Sequence, residues 1–234
     1  MRSRLVAGGL TVAAFMSGGI AQARDGGRKL PAETLRGPAA LLLQYPTISL
    51  ATPRQRARAE RLRREILLAT RAWRDPRTAA AAGFRTTRPA RRRGNSSVLW
   101  FHSEHRGFHH DDAYLDPKRP DTIIYADVPG RPLVLVGVMF SMPRGLRGPT
   151  PGGPITRWHT HRVCARGNAR GLTPRRDGSC PRGTTSRQGS EMMHVWFTRD
   201  LRSTFAIHAP VPELCVARLL PRGRCTHIGH HNGG

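Results

Sequence analysis

The chain has 234 residues with 39 Lys and Arg against 15 Asp and Glu, which gives a net charge of +24 at pH 7. This length is enough for one sizeable domain with its own hydrophobic core. Beyond the first residues, no segment approaches the roughly 18 consecutive apolar residues of a membrane-spanning helix. Composition therefore argues against an integral membrane protein and against a disordered chain.

The first 23 residues have the pattern of a secretory signal peptide. Arg2 and Arg4 form a charged start, and the mostly apolar run 5–20 follows. Ala21-Gln22-Ala23 then supplies the small-x-small pattern that precedes signal-peptide cleavage. The mature protein is therefore predicted to be exported, either into the medium or into a periplasm or cell wall.

The basic composition suggests nucleic-acid binding, but other features argue against it. Only Lys29 and Lys118 are lysines, and the arginines are spread over the whole chain with abundant Ala, Gly and Pro. This bias is typical of a GC-rich genome, and few aromatic residues accompany the arginines as stacking platforms. We expect no specific nucleic-acid partner. Anionic cell-wall polymer or lipid headgroups are the more plausible partners of such a surface.

The four cysteines lie in the last third of the chain, at Cys164, Cys180, Cys215 and Cys225. An even number of cysteines in an exported protein favours two disulfides. We prefer Cys164–Cys180 and Cys215–Cys225, because both close short local loops. Zinc binding by four thiolates is the alternative, which the lack of a C-x-x-C pair weakens.

Residues 24–50 lack sustained periodicity and are predicted to be a flexible lead-in. A helix follows, with Thr52 as N-cap and Pro53 in the first turn. A second, short helix is indicated by Asp75, Pro76 and Gly83 as cap, first position and C-terminal stop. The apolar positions of the first helix recur at three- and four-residue steps at Ala59, Leu62, Ile66, Ala69 and Trp73.

After about residue 96 the apolar residues change to the pattern of β-strands, and Pro129-Gly130 predicts a turn between two of them. A Gly-, Arg- and Ser-rich loop is predicted between His161 and Glu191. We predict an α+β fold in which an N-terminal helical pair packs on a largely antiparallel β-sheet or β-sandwich, as a single domain over 51–234. The predicted strands are 97–102, 122–127, 132–140, 155–161, 192–198 and 203–208.

Histidines in these strands are candidate metal ligands. His159 and His161 are two residues apart, and residues at this spacing project from the same face of a strand. His194 in "SEMMHVWFT" and His102 at the end of "SVLWFH" occupy comparable strand positions. Neutral imidazoles suit a divalent metal ion, with zinc or copper favoured and iron possible. Paired strand histidines can also be exposed and without function, and His194 can be a hydrogen-bonded core residue.

Carboxylates near these histidines leave a catalytic role open. Glu191 precedes the strand of His194 and is the candidate general base, with Glu104 as the alternative. Two familiar motifs are absent. No glutamate follows the H-x-H pair at the spacing of the cupin motif, and the zincin string H-E-x-x-H does not occur.

The ordered motifs "WRDPRTAAAAGF", "FHSEH", "YLDPKRPDTIIYADVPGRPLVLVGVMF", "WHTHRVC", "SEMMHVWF" and "FAIHAP" resemble a family of exported bacterial proteins of uncharacterised function. The resemblance covers about 73–215. It implies a shared fold and a shared histidine site, but no established reaction. This chain departs from the family pattern at His105, where an asparagine is usual. The implied site comprises His102, His159, His161, Glu191 and His194.

Three functions are compatible with this pattern. The first is an exported metal-dependent enzyme, a hydrolase or an oxygenase, with an open coordination position. The second is a non-catalytic metal-binding protein whose ligands close around the ion. The third is a structural protein of the cell wall whose basic surface binds anionic polymer.

Overall fold

A computed structural model describes residues 44–86, 98–166 and 179–221. The predicted signal peptide, most of the predicted lead-in 24–50, and Cys225 lie outside the described residues. Within the lead-in, the short 3₁₀ helix Ile48–Leu50 is described.

Helix α1, Pro53–Ala69, begins where the sequence predicts it. Thr52 accepts a hydrogen bond from the Gln55 backbone N–H, and the Gln55 side chain accepts one from the Thr52 N–H. This reciprocal capping satisfies two of the N–H groups that a helix start leaves unpaired. A 3₁₀ turn, Arg71–Arg74, connects α1 to α2, Pro76–Ala81, which the Asp75 side chain caps.

Five strands form an antiparallel sheet in the order β1-β2-β3-β4-β7. The sheet therefore confirms the predicted mixture of helices and antiparallel strands. The short helices α3, α4 and α5 lie at Arg106–His109, Leu201–Thr204 and Val211–Val216. The sheet strands are β1 (Arg85–Thr86), β2 (Leu99–Glu104), β3 (Thr122–Asp127), β4 (Val134–Ser141) and β7 (Met192–Trp196).

One face of this sheet, which we call the helix-side face, belongs to the main hydrophobic core. Alternate residues of a strand point to opposite faces, and directly paired residues share a face. Val138 pairs with Val195, and Phe140 pairs with Met193. All four are buried in one cluster with Ile66 and other residues of α1. This packing against α1 determines which strand positions remain for the opposite face.

The second face of the sheet carries the strand residues that alternate with those of the helix-side face. Gly137 pairs with Trp196, Met139 pairs with His194, and on β2 His102 pairs with Ile124. Trp196 and Ile124 belong to a second buried cluster, which also includes Leu214 of α5. The second face is therefore only partly covered by the C-terminal segment, and its histidines lie beside a smaller apolar core.

Two predicted strands are wrong. Segment 155–161 is mostly irregular, with a single β-bridge between His159 and Met192, and segment 203–208 includes the end of α4 rather than a strand. Asp200 caps α4 through a hydrogen bond from the Ser203 backbone N–H, and this local cap overrides the strand pattern. The predicted loop after His161 also contains a two-stranded sheet, β5 (Arg162–Ala165) and β6 (Thr185–Gln188).

The predicted disulfide Cys164–Cys180 is confirmed, with its Cα atoms 5.4 Å apart. Cys164 lies in β5 and is fully buried. The bridge therefore ties β5 to the segment that leads into β6. The predicted Cys215–Cys225 pair includes a residue outside the described residues. Over the described ranges, the helices are too short or too polar for any of them to cross a membrane.

Packing of α1 against the sheet can be tested with two leucine-sized residues of the same helix. Ile66 is 0 % exposed, whereas Leu68 is 73 % exposed. We expect Ile66→Ala to lower the free energy of unfolding by about 2–5 kcal/mol, because it leaves a cavity in the core. Leu68→Ala should change it by less than about 0.5 kcal/mol. Urea unfolding followed by circular dichroism measures both, and equal effects would contradict this packing.

Candidate metal centre

Strand β7 places His194 on the second face, stacked against an indole ring. The rings of His194 and Trp196 lie 5.1 Å apart at 26°. Gly137 makes room for this arrangement, since a Cβ there would lie 2.9 Å from the Val195 carbonyl oxygen and 3.0 Å from the Trp196 ring. The Trp196 Nε1–H donates to the Ala206 carbonyl oxygen. The indole is thus fixed on both sides and supports the imidazole.

His159 is joined to the same strand by backbone hydrogen bonds. Its N–H donates to the Met192 carbonyl oxygen, and the Met192 N–H donates back to His159. The preceding loop is also anchored. The Gly148 N–H donates to Glu191 Oε2, and the Trp158 indole packs closely over Gly148. A segment without regular secondary structure therefore presents His159 at a defined place.

Four histidine rings follow one another at short distances. The ring centroids of His159 and His194 are 5.1 Å apart, those of His159 and His161 are 5.0 Å apart, and those of His161 and His208 are 6.0 Å apart. Two imidazoles bound to one tetrahedral zinc ion at about 2.0–2.1 Å have centroids roughly 5 Å apart. The spacing of the first two pairs therefore suits a shared ion.

His102 belongs to the same electrostatic environment. It lies on β2 opposite Ile124, on the face that carries His194. Among the charged groups that lower the pKa of His194, His102 has the largest effect. The four histidines predicted from the sequence, His102, His159, His161 and His194, therefore lie on one side of the sheet.

His208 belongs to this group and was missed in the sequence analysis. The residue before it, Ile207, donates its backbone N–H to the Gln44 carbonyl oxygen. The residue occurs in the "FAIHAP" motif. The sequence pattern of that motif predicts a strand and does not by itself connect His208 to the other histidines. The sequence signal that could have identified this residue is a histidine within a short apolar motif that precedes a proline.

Three ring nitrogens of the group are buried and have no hydrogen-bond partner. They are Nδ1 and Nε2 of His159 and Nδ1 of His194. Leaving a buried polar group unpaired costs about 1–3 kcal/mol, so each such atom in a folded protein requires an explanation. A neutral imidazole has one ring-nitrogen lone pair, and an ion bound to one lone pair of each ring is one explanation for two of these atoms.

Nδ1 of His194 is the ring nitrogen that is left for a ligand, since it is buried and has no hydrogen-bond partner. In a neutral imidazole one nitrogen carries the proton and the other keeps a lone pair. With the proton on Nε2, the Nδ1 lone pair is the one available to an ion.

Both buried imidazoles are held neutral. Burial, followed by the charges of His194, His161, His208 and Arg157, holds the pKa of His159 well below 6.5. Burial, followed by the charges of His102, His161 and His208, likewise holds the pKa of His194 well below 6.5, and the Ile207 hydrogen bond opposes this shift. Neutral imidazole is the form that binds a metal ion.

The ring nitrogens of these histidines are near one another, but they do not surround a common point at which an ion could sit. In the part of the chain that the structure describes, no three His, Cys, Asp or Glu side chains are already placed to hold an ion. The rings of His159 and His161 meet at 86°, and those of His159 and His194 at 34°. The residues fit a metal ion in donor chemistry and spacing, and binding would require rotation of the imidazoles between staggered rotamers.

Glu191, the candidate catalytic residue, binds the loop rather than an imidazole in this arrangement. Its Oε2 accepts the hydrogen bond from Gly148. This contact positions the segment that leads to His159, whereas the catalytic role of Glu191 stays a prediction. Glu104, the alternative base, lies at the end of β2, opposite Thr122.

His105 has a structural role. Its Nδ1 accepts from the Phe108 N–H at the start of α3, and its Nε2 lies 3.0 Å from the Ala82 carbonyl oxygen. Nε2 therefore carries the proton, and both nitrogens are in use. The ring also stacks on Phe108 with centroids 3.6 Å apart. His105 thus connects the end of α2 to α3.

No family model, no curated protein and no solved structure matches this chain. The resemblance to exported bacterial proteins therefore stays a prediction, and the site is argued from its own geometry.

The neutral state of these imidazoles predicts a pH dependence of stability in the metal-free protein. In the unfolded chain these histidines bind protons near pH 6.5, whereas the folded protein resists protonation until a lower pH. The free energy of unfolding should therefore fall as the pH is lowered below about 6.5, by up to about 1.4 kcal/mol per pH unit for each excluded proton.

Urea unfolding at several pH values, with a chelator present, measures this slope. His194→Gln should flatten it, because a glutamine does not titrate. His110→Gln, which changes an exposed loop histidine, is the matched control. An identical slope in the wild type and His194→Gln would contradict the neutral assignment.

Proposed function

We propose that this chain is an exported metal-binding protein whose ion is held by histidine imidazoles on the second face of the sheet. His159 and His194 are the central ligands, and His161, His102 and His208 are the candidates for the remaining positions. The ion is zinc or copper, with iron as a further candidate, since imidazole suits all three.

One observation carries this proposal. Nδ1 of His194 and both ring nitrogens of His159 are buried without a hydrogen-bond partner, and the two ring centroids lie 5.1 Å apart. A histidine kept only for packing would have these nitrogens hydrogen-bonded or exposed. An ion bound to one lone pair of each ring would account for Nδ1 of His194 and for one of the two nitrogens of His159.

The arrangement favours a non-catalytic site over an enzyme. A catalytic zinc keeps one coordination position open to a substrate pocket. Here the ring nitrogens of His159 and Nδ1 of His194 are buried, and the imidazoles of His102, His161 and His208 are near enough to lower the pKa of His194. A groove lined by Arg58, Arg61, Leu115 and Pro149 lies elsewhere, and none of these histidines is in its wall. Hydrolase or oxygenase activity, with Glu191 as base, is the second candidate.

The remaining parts of the molecule have supporting roles in this proposal. The helical pair, α1 and α2, supports the sheet from its helix-side face. Export after signal cleavage places the site where Cys164–Cys180 can form, since disulfides persist in oxidising compartments. The basic surface would hold the protein near anionic wall polymer or lipid headgroups.

The proposal is tested by metal content. We expect the purified mature protein, incubated with zinc or copper and desalted, to retain about one ion per chain, because one cluster of ligands is present. His159→Ala and His194→Ala should each lower this retention at least about tenfold in affinity. His110→Ala is the control and should behave as wild type. Elemental mass spectrometry and a competing chelator provide the measurements.

Equal metal retention in the wild type and both site variants would contradict the proposal. The protein would then be a cationic exported protein whose histidines have no ligand. Circular dichroism of each variant shows that a loss of metal does not result from a loss of folding.

A further inference from the structure

Two methionines lie among the histidines of the second face. Met139 of β4 pairs directly with His194, and Met192 pairs directly with His159. Met192 and His194 are two residues apart on β7 and so share a face. Each central histidine therefore has a thioether side chain as its direct neighbour across a strand pair.

The register determines how near these groups are. Side chains directly opposite in an antiparallel pair have Cβ atoms about 4.5–5.5 Å apart, within reach of long side chains. Methionine is unbranched and has three rotatable side-chain bonds, so its sulfur can turn toward a neighbouring ring. Both thioethers can therefore approach an ion held by His159 and His194.

The burial of these two methionines differs from that of methionines in the core. Met193 is 0 % exposed on the helix-side face and Met142 is 4 % exposed, which is typical of packing residues. Met139 and Met192 are only partly buried. Met139 packs at the edge of the second hydrophobic cluster, and both methionines keep part of their side chains uncovered beside the histidines.

Thioether sulfur is a soft donor that selects copper(I) over harder ions. The charges near the site also favour copper(I). Arg157 lies two residues before His159, and its guanidinium is a cation close enough to act on that imidazole. Repulsion from a cation is half as large for a monovalent ion as for a divalent one. A neutral set of imidazoles and thioethers near a cation therefore favours copper(I) over zinc.

We propose that the site is a copper(I) centre in which the thioethers of Met139 and Met192 join the imidazoles of His159 and His194. The ion binds as copper(I) and leaves as copper(I), so no electron donor or acceptor is required. This inference rests on the proposed metal-binding function and names the ion of that same site.

The test compares copper(I) and zinc(II) affinities of variants without oxygen. Copper(I) is supplied as its acetonitrile complex and measured by competition with bicinchoninate, and zinc(II) is measured by competition with a chromophoric chelator. Methionine-to-leucine changes keep the side-chain volume and usually cost less than about 1.5 kcal/mol of stability. The variants are the double change Met139→Leu with Met192→Leu, the control Met193→Leu, and His194→Ala.

We expect the double variant to lose at least about tenfold in copper(I) affinity while its zinc(II) affinity is unchanged, because only the soft donors are removed. Met193→Leu should alter neither affinity. His194→Ala should weaken both. X-ray absorption of the copper(I)-loaded wild type should show sulfur among the ligands, a readout that does not depend on the folding of any variant.

Two results overturn the inference in distinguishable ways. In the first, the double methionine variant keeps the copper(I) affinity of the wild type, His194→Ala loses it, and X-ray absorption shows no sulfur ligand. The thioethers are then not ligands, and the histidine site stands without them. Failure of the wild type to bind either ion removes the proposed function together with this inference.

Discussion

The two-residue alternation of β7 is the constraint on which the candidate site depends. Met193 and Val195 are fully buried against α1 and the neighbouring strands, and this burial fixes the register of the strand. A shift by one residue would move both apolar side chains out of the core. The same constraint directs His194 and Trp196 to the other face, so the hydrophobic core itself determines where the imidazole lies.

The position of His159 depends on a different kind of support. Its segment is not a strand, and it is held by one bridge to Met192 and by the Gly148 contacts with Glu191 and Trp158. Cys164–Cys180 follows shortly afterwards and restrains the chain on its other side. A rigid strand therefore supplies one central histidine, and a restrained loop supplies the other.

Much of this arrangement follows from local sequence patterns. The strand over Thr122–Asp127, the caps Thr52 and Asp75, and the alternation around His194 are all visible in the sequence and agree with the structure. These features depend on residues that are neighbours along the chain. The placement of His102 and His194 on one face of the sheet follows less directly, since it requires the strand order, which no local pattern specifies.

The failures have the same physical origin. Segment 155–161 has the apolar alternation of a strand but lies next to only a short part of β7, so pairing stops after His159. Segment 203–208 has strand-forming residues, yet Asp200 starts a helix there. His208 was missed because its approach to His161 depends on how this segment folds back over Trp196. Tertiary contacts decide each case.

The stacking of His194 on Trp196 gives the molecule an internal optical reporter. The indole is 5.1 Å from the candidate ligand and 6.1 Å from a second indole, Trp100. An ion bound at the imidazole would change the emission of both rings, whereas the indoles of Trp73 and Trp158 belong to other surroundings. Occupancy of the histidine cluster can thus be followed by intrinsic fluorescence, without an added dye.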